Sequence, residues 1–236
     1  MWDVCMWDDK PTILLEMLGA SMKTQIFEGL KISERQLQII ARDVISTLII
    51  LHSLGAVHGD VKPENIVGDN KNDSYRVKLV DFGSFLFLDD QDKIKIQSLP
   101  YRAPEVHVGG VFDASADIWA LGVALSHIAT GELLFDHRSI HKNLAKALCI
   151  SNSRAPTPSG DPAFDNYYRD GLIVNEENEQ DFYVYMPKHE FSFEKHYERY
   201  QLSRNFANFI KNCLMMDPRY RISARDALQD PFLKPV

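Results

Sequence analysis

One short polar segment of this chain contains the residue types that phosphoryl transfer requires. It reads His-Gly-Asp-Val-Lys-Pro-Glu-Asn from His58 to Asn65, between a predicted helix and a predicted strand. A loop in that place can present Asp60 and Asn65 on one side, with Lys62 between them. Phosphoryl transfer needs a carboxylate to orient and deprotonate a hydroxyl, a cation near the moving group and a metal ligand. The segment predicts such a site, and a polar turn before a strand is the alternative interpretation.

Two predicted helices and a strand must position this segment. Residues 33–54 are predicted to be a helix, because Ser33 and Gln36 form a capping-box pattern and apolar residues recur at helical spacing. Residues 113–130 predict a helix that is apolar on all sides, which indicates a buried central element. Residues 77–80 are predicted to form a short strand before Asp81.

Other stretches predict the outer parts of the fold. Residues 12–15 are predicted to form a strand, and residues 203–216 and 223–229 predict two closing helices. Residues 152–185 are rich in Pro, Gly, Asn, Asp and Glu and predict a long surface insertion. Within it, the acidic run 175–181 is interpreted as a solvated loop and not as a metal site.

Composition restricts the class of protein. Hydrophobic residues make up 45% of the 236 residues, so a core of normal size can form. The net charge of −7 argues against a nucleic-acid partner. Three scattered cysteines exclude a disulfide framework and a zinc spacing. With no signal-peptide pattern and no apolar run long enough for a bilayer, we expect no membrane association and an intracellular location, in cytoplasm or nucleus.

The polar segment closely resembles the catalytic loop of eukaryotic protein kinases, His-Arg-Asp-Leu-Lys-Pro-Glu-Asn. Lys62 is typical of the serine/threonine kinases, and Asp81-Phe82-Gly83 follows Asn65 after a strand, as the metal-binding triplet of kinases does. Further on, the segment 96–105 resembles the end of a kinase activation segment. Its Tyr-Arg-Ala-Pro-Glu form is similar to the CMGC group, most of all to the dual-specificity tyrosine-regulated and homeodomain-interacting kinases.

The resemblance implies an α+β protein-kinase-like fold with a mainly helical large lobe. Residues 1–18 would be a remnant of the small lobe with the hinge, and residues 19–236 would be the large lobe. It implies that Asp60 is the catalytic base and that Lys62 contacts the transferred group. Asn65 and Asp81 would bind Mg²⁺. ATP would meet four residues at or near the hinge, namely Leu15, Glu16, Leu18 and Val67.

The resemblance also implies which residues serve the scaffold. Glu105 and Arg221 would form a buried ion pair, and Asp117 would hold the backbone of the catalytic loop. His58 is expected to pack on Phe82 and to act neither as an acid nor as a base. Cys149 and Cys213 are expected to be buried apolar side chains.

The sequence departs from the family pattern in three places. No Gly-x-Gly-x-x-Gly and no Val-Ala-x-Lys strand occurs before the hinge, and no partner helix with its Glu precedes it. Gly59 stands where most kinases have Arg, which argues against control through a phosphorylated activation segment. Lys95 stands where the tyrosine-regulated relatives have their regulatory tyrosine, and Leu99 replaces their following Arg.

Two functions from different classes follow, and the sequence leaves both open. The first is a serine/threonine kinase that transfers the ATP γ-phosphoryl group to hydroxyls of protein substrates, incomplete and weak as the chain stands. The second is a non-catalytic pseudokinase that serves as a protein-binding scaffold. A missing upstream coding sequence would also account for the short small lobe. A partner protein that covers the truncated lobe is expected in either case.

Overall fold

The computed structural model describes most of the chain and leaves several connecting segments out. The ranges it describes are 3–69, 75–90, 96–135, 139–151, 167–169, 172–174, 182–183 and 192–234. Its α-helices are α1 Met22–Phe27, α2 Glu34–Ser53, α3 Pro104–His107, α4 Ser115–Thr130, α5 Ile140–Ser151, α6 Phe193–Glu198, α7 Arg204–Cys213 and α8 Ala224–Ala227.

The strands are short and pair only antiparallel. They are β1 Asp3–Trp7, β2 Lys10–Leu14, β3 Ala56–Val57, β4 Ile66–Gly68, β5 Val77–Leu79, β6 Leu86–Phe87, β7 Tyr168–Arg169, β8 Leu172–Val174 and β9 Phe182–Tyr183. The pairs are β1 with β2, β3 with β6, β4 with β5, and β7 with β8 with β9. The predicted α+β class with a mainly helical body is confirmed.

The long helix α2 begins and packs as its sequence predicts. The Ser33 hydroxyl accepts a hydrogen bond from Gln36 N at 3.3 Å, and the Gln36 side chain accepts one from Ser33 N at 2.9 Å. These two bonds confirm the capping box, which satisfies donors that the first helical turn leaves unpaired. The predicted apolar face is buried, and its members include Leu37, Ile40, Val44, Ile45 and Leu48.

The helix α4 is the buried centre of the body. Every residue from 116 to 128 is buried, and Gly131 ends the helix in the left-handed conformation at φ 74°. Gly122 permits close contact with α7, because a Cβ atom there would lie 2.6 Å from the Cβ of Cys213. The absence of a side chain at Gly122 thus lets two helices approach, which a larger residue would prevent.

The hairpin β1–β2 exposes an apolar face. The predicted strand at residues 12–15 is present, and its actual bounds are Lys10–Leu14. Val4 lies opposite Ile13 and Met6 opposite Pro11, so these side chains share one face of the hairpin. Val4 is 58%, Met6 64% and Ile13 60% exposed.

The prediction of a surface insertion at residues 152–185 is wrong for the part that the structure describes. Tyr168, Ile173 and Val174 are buried, and β8 packs against α5. Tyr168 pairs with Ile173 across β7 and β8, and both side chains are buried although the composition of the segment is mostly polar. The acidic run 175–181 lies outside the described residues. Cys213 is buried as expected, whereas Cys149 is only half-buried.

Among the helices within the described ranges, none is both long and apolar enough to cross a membrane.

Candidate active site

The loop at residues 58–65 connects β3 to β4 and is held by the first turn of α4. The carboxylate of Asp117 accepts hydrogen bonds from His58 N at 2.8 Å and from Gly59 N at 3.0 Å. Its Oδ2 atom also lies 3.1 Å from His52 Nε2 at the end of α2. Asp117 is fully buried, so these contacts satisfy a charge that would otherwise be costly to bury. The predicted role of Asp117 in holding the loop is confirmed.

Asp60 lies at the centre of a network of donors. Lys62 Nζ donates to its Oδ2 at 2.5 Å, and Ser98 donates to its Oδ1 through both its hydroxyl, at 2.8 Å, and its backbone N, at 3.2 Å. Lys62 Nζ also donates to the Ser98 hydroxyl at 3.0 Å. Burial acts to raise the pKa of Asp60, but the hydrogen bonds from Lys62 and Ser98 outweigh it and hold the pKa below its usual value.

Asn65 and Asp81 are brought together by the hairpin β4–β5. Ile66 pairs with Leu79, and Val80 N donates to the Asn65 carbonyl at 2.9 Å, so Asp81 follows immediately beside Asn65. The Asn65 amide nitrogen donates to the Asp60 carbonyl at 2.8 Å, which fixes the side chain and leaves its Oδ1 atom as an acceptor. Asp81 has left-handed backbone angles and an exposed carboxylate.

The Asp81 carboxylate and the Asn65 amide oxygen are ligand types that Mg²⁺ accepts. Magnesium binds proteins through one or two carboxylates and takes its other ligands from water and substrate phosphates. In the described ranges no three His, Cys, Asp or Glu side chains cluster as a metal cage would require.

His58 is a structural residue. Its ring contacts Phe82 edge to face with centroids 5.0 Å apart, and its Nε2 atom lies 3.1 Å from the Val80 carbonyl. Its Nδ1 atom accepts a hydrogen bond from Asp60 N at 3.2 Å. Burial lowers the pKa of His58 although Asp117 opposes the shift, so the ring is neutral at pH 7. The expectation that His58 packs on Phe82 is confirmed.

The predicted adenine-binding residues lie at the other end of β4. Gly19 N donates to the Gly68 carbonyl at 2.8 Å, and Ser21 pairs with Val67, so the chain after the hinge runs beside β4. This pairing brings Val67 next to the segment that follows Leu18. The side chain of Leu15 is 67% exposed.

Lys78 on β5 forms an ion pair with Glu16 of the predicted hinge, a contact that the sequence did not predict. Its Nζ atom lies 2.7 Å from Glu16 Oε1 and 3.5 Å from Asp69 Oδ2. The hydrogen bond to Glu16 raises the pKa of Lys78. A Lys on one strand and a Glu in a distant connecting segment carry no local signal, so only the fold reveals the pair.

The helix α3 is anchored by a buried ion pair. Arg221 donates to Glu105 through two nitrogens at 2.7 and 3.0 Å, and the guanidinium also lies over the Trp119 ring at 5.2 Å. The predicted Glu105–Arg221 pair is confirmed. Its bidentate geometry matches the planar fork of arginine to a carboxylate.

A second arginine fixes an unusual backbone turn beside Asp60. Gln97 has a positive φ of 68°, and Arg102 Nη2 donates to its carbonyl at 2.7 Å. The Gln97 side-chain amide accepts a hydrogen bond from Ala103 N through its Oε1 atom at 2.8 Å. Its Nε2 atom donates to the Ala116 carbonyl at 2.8 Å. These bonds place Ser98, which immediately follows, against Asp60.

Gly59 is required by the backbone of the loop. Its φ is 77°, and a Cβ atom added there would lie 2.4 Å from the Ser84 carbonyl oxygen. The backbone N of Gly59 donates a hydrogen bond to the Asp117 carboxylate, and the Gly59 carbonyl accepts one from Gln97 N at 2.7 Å. The conformation therefore excludes a side chain where most kinases have Arg. Lys95, the other departure in this region, lies outside the described residues.

A partly buried loop that presents an aspartate, a lysine and an asparagine beside the hairpin β4–β5 is the arrangement expected of a protein kinase catalytic loop. The protein kinase domain family matches residues 1–233, and the chain belongs to this family. The predicted membership is therefore confirmed.

The curated relatives are mainly kinases of the CMGC group. The chain is 30% identical over 90% of its length to the probable serine/threonine-protein kinase dyrk2 of Dictyostelium discoideum. It is 30% identical over 95% of its length to the DYRK-family kinase pom1 of Schizosaccharomyces pombe, and 30% identical over 94% to the human dual specificity tyrosine-phosphorylation-regulated kinase 4. It spans 24%, 21% and 42% of these three proteins, which is less than half of each.

Proposed function

We propose that this chain is the catalytic body of a serine/threonine kinase that transfers the γ-phosphoryl group of ATP to hydroxyls of protein substrates. The observation that supports this most is the surroundings of Asp60. A serine hydroxyl, that of Ser98, already lies 2.8 Å from Asp60 Oδ1 and 3.0 Å from Lys62 Nζ. The same two groups can hold a substrate hydroxyl in the orientation that transfer requires.

In the proposed reaction Asp60 acts as the base. Its lowered pKa keeps the carboxylate ionised at neutral pH. It accepts the hydroxyl proton while the hydroxyl oxygen bonds to phosphorus and the bond from phosphorus to the ADP oxygen breaks. A weak base suffices, because the transition state is loose and catalysis depends mostly on positioning and charge. Lys62 supplies positive charge beside the equatorial oxygens of the transferred group.

The nucleotide would be held at both ends of β4. Bound Mg²⁺ would neutralise charge on the phosphates, with Asn65 Oδ1 and the Asp81 carboxylate as its protein ligands. At the other end the backbone of Glu16 and Leu18 would meet the adenine edge, and the side chains of Leu15 and Val67 would cover its faces. The Lys78–Glu16 contact supports this arrangement because it holds the hinge close to β5.

The turn at Gln97 supports a preference for substrates with proline directly after the acceptor residue. The Gln97 carbonyl already accepts hydrogen bonds from Arg102 Nε at 3.2 Å and Nη2 at 2.7 Å, so it would be unable to accept another from the amide of a substrate residue bound beside it. An ordinary residue there would leave its N–H unpaired, whereas proline has no N–H to lose. We expect a Ser-Pro peptide to be phosphorylated about tenfold faster than its Ser-Ala counterpart, as measured by paired kcat/KM values.

The alternative is a protein-binding scaffold without catalysis. The exposed apolar face formed by Val4, Met6, Pro11 and Ile13 favours it, because such a face suits a covering protein surface. An activity measurement separates the two functions.

The test is phosphate transfer from Mg²⁺-ATP to a Ser/Thr peptide library, with the protein at its natural length. Asp60→Asn should lower the rate by about 100-fold or more, because a positioned base commonly contributes that much. Asp226→Asn, an exposed residue on α8, is the control and should leave the rate unchanged. Transfer that survives Asp60→Asn would remove the proposed base.

A separate binding measurement tests the metal ligands. Fluorescent nucleotide should bind in the presence of Mg²⁺, and Asp81→Ala should abolish that binding. Nucleotide binding without any transfer would favour the scaffold function. Binding that is equal with and without Mg²⁺ would contradict the assignment of Asn65 and Asp81.

A further inference from the structure

A groove on the outer side of α2 lies apart from the candidate active site. Its volume is about 580 Å³, and we call it the α2 groove; its lining residues are Glu34, Arg35, Gln38, Ile39, Arg42, Leu233 and Lys234. The lining belongs to the first half of α2 and to the last turn of the chain that the structure describes. The catalytic loop follows the opposite end of this helix, which at 1.5 Å per residue is about 30 Å long.

The walls of the α2 groove are fixed by hydrogen bonds. Gln38 Nε2 donates to the Phe232 carbonyl at 2.9 Å, which joins the helix to the final turn. Leu233 is buried, and α2 begins with the capping box described above. A groove with a fixed shape binds a ligand without first ordering its own walls, so less free energy is lost on binding.

The three cations of the α2 groove have no carboxylate partner among the described residues. Arg35, Arg42 and Lys234 take part in none of the ion pairs there, whereas other cations such as Arg76 and Arg221 contact a carboxylate directly. This is unexpected in a chain with a net charge of −7, in which carboxylates outnumber cations.

The one acidic residue of the groove is already engaged. Both carboxylate oxygens of Glu34 accept hydrogen bonds from Ser203, one of them from its backbone N at 2.8 Å. Glu34 is therefore drawn toward the start of α7. The unpaired charge in the α2 groove is positive, and the half-buried side chain of Ile39 lies between the two arginines along the helix.

We propose that the α2 groove binds an acidic segment of a partner protein in an extended conformation. Arg35 and Arg42 are seven residues apart on one helix face, which places them about 10 Å apart. In an extended polyproline-type peptide, residues three apart share a face and are separated by about 9 Å. The matching ligand has two carboxylates three residues apart and one aliphatic side chain between them, which contacts Ile39.

Charge and shape disfavour other occupants. Nucleic acid requires a broad basic surface, and three cations on an acidic protein would be opposed by the remaining charge. An anionic membrane requires protruding apolar side chains beside the cations, whereas the apolar residues of this groove are Ile39, which is half-buried, and Leu233, which is buried. An acidic peptide needs only local charge and a recess, and the α2 groove offers both.

The experiment measures binding by fluorescence anisotropy with the peptide Ser-Gly-Glu-Leu-Ser-Glu-Gly-Ser, labelled with fluorescein. The double variant Arg35→Gln with Arg42→Gln should weaken binding about tenfold, since each exposed pair contributes a modest amount. The matched control is Arg225→Gln with Lys211→Gln, which removes two exposed cations elsewhere and should change affinity less than twofold. Thermal melting establishes that both variants are folded.

Three further arms test the charge of the ligand, the place where it binds and its chemical class. A peptide with Gln in place of both Glu should bind at least tenfold more weakly, and Asp60→Asn should leave peptide binding unchanged. A single-stranded RNA oligonucleotide and phosphatidylserine vesicles should bind no better than that Gln peptide. Equal loss in the control variant, equal binding of the Gln peptide, or tighter binding of the RNA or the vesicles would overturn the proposal.

Discussion

At the residue scale, Asp60 shows how neighbouring hydrogen-bond donors, and not burial, set the pKa of a half-buried carboxylate. Burial by itself would favour the protonated acid and raise its pKa. The Lys62 ammonium and the Ser98 hydroxyl and backbone N all donate to the carboxylate, and together they lower its pKa. The carboxylate is therefore ready to accept a hydrogen bond from a hydroxyl at neutral pH.

Replacing Ser98 should raise the pKa of Asp60. Ser98→Ala removes the hydroxyl that donates to Oδ1 at 2.8 Å, which stabilises the ionised form. A carbon-detected NMR titration of the Asp60 carboxyl measures the shift. The control variant is Ser53→Ala. The Ser53 hydroxyl donates to a carbonyl within α2, so its removal should leave the pKa of Asp60 unchanged. An unaltered Asp60 pKa in Ser98→Ala would contradict the assigned network.

The same lowered pKa determines how stability depends on pH. A carboxyl group whose folded-state pKa is depressed stabilises the fold above its unfolded-state pKa, and this contribution is lost as the pH falls through the folded-state value. Ser98→Ala should therefore be less stable than the parent protein at neutral pH, and this difference should shrink as the pH falls below the unfolded-state pKa of Asp60. Urea unfolding across the acidic range measures this difference.

Gly59 should tolerate no side chain. Gly59→Ala places a Cβ atom 2.4 Å from the Ser84 carbonyl oxygen and forces a non-glycine residue to φ 77°. The left-handed conformation alone costs about 1–2 kcal/mol, and the contact adds to it. We expect a clear fall in melting temperature and a disturbed turn at Asp81, seen as weaker Mg²⁺-dependent nucleotide binding. Gly29→Ala shares the positive φ of 69° but meets no atom within 4 Å, so it should cost less.

At the scale of elements, helices with a strong periodic pattern were predictable and the contacts between distant elements were not. The bounds of α2 and α4 differ from the predicted 33–54 and 113–130 by at most two residues at each end. The capping residue Ser33 and the left-handed Gly131 explain that agreement, because both are local signals.

Other features of the structure could not be predicted, because they depend on residues distant in the sequence or on very short strands. Ser98 is 38 positions from Asp60, and only the turn at Gln97 brings it there. The strands β7 to β9 are two or three residues long, too short for an alternating pattern to be seen. The candidate site itself was predictable as a set of residues, because the string from His58 to Asn65 is contiguous.

The buried pair between α3 and the turn before α8 should be important for stability. Arg221→Ala leaves the Glu105 carboxylate buried without its partner, and such a loss costs about 3–5 kcal/mol. For a domain of this size we expect the melting temperature to fall by about 10 °C. Calorimetry or circular dichroism measures the change.

A matched control separates burial from charge. Arg219→Ala also breaks a contact with a carboxylate, that of Asp217, but the Arg219 side chain is 69% exposed, whereas that of Arg221 is 0% exposed. The Asp217 side chain is 12% exposed, but it keeps its hydrogen bond from the Arg219 backbone N in the variant, and the lost guanidinium was in contact with water, so Arg219→Ala should lower the melting temperature much less than Arg221→Ala does. If Arg221→Ala also melted like the parent, the ion pair would not be what anchors this part of the fold.

At the scale of the whole molecule, two surface regions differ in polarity, one of them apolar and the other positively charged. The apolar face of β1 and β2 lies at one end, and the α2 groove with its unpaired cations belongs to the helical body. The face formed by Val4, Met6, Pro11 and Ile13 is contiguous, because these residues oppose one another across a single hairpin. A contiguous apolar face has a stronger tendency to associate than the same residues scattered over a surface.

The 236 residues by themselves should therefore self-associate through that hairpin. Its exposed strand edges add unpaired backbone groups that can join strands of another copy. In sedimentation velocity runs the average mass should rise with concentration, and Met6→Ser with Ile13→Thr should restore the monomer. Phe27→Ser with Val111→Ser removes two apolar side chains that are 90% and 83% exposed elsewhere, and this control should associate like the parent. A parent chain that stays monomeric at high concentration, or a control that dissociates as completely as the hairpin variant, would show that the hairpin face is not the contact.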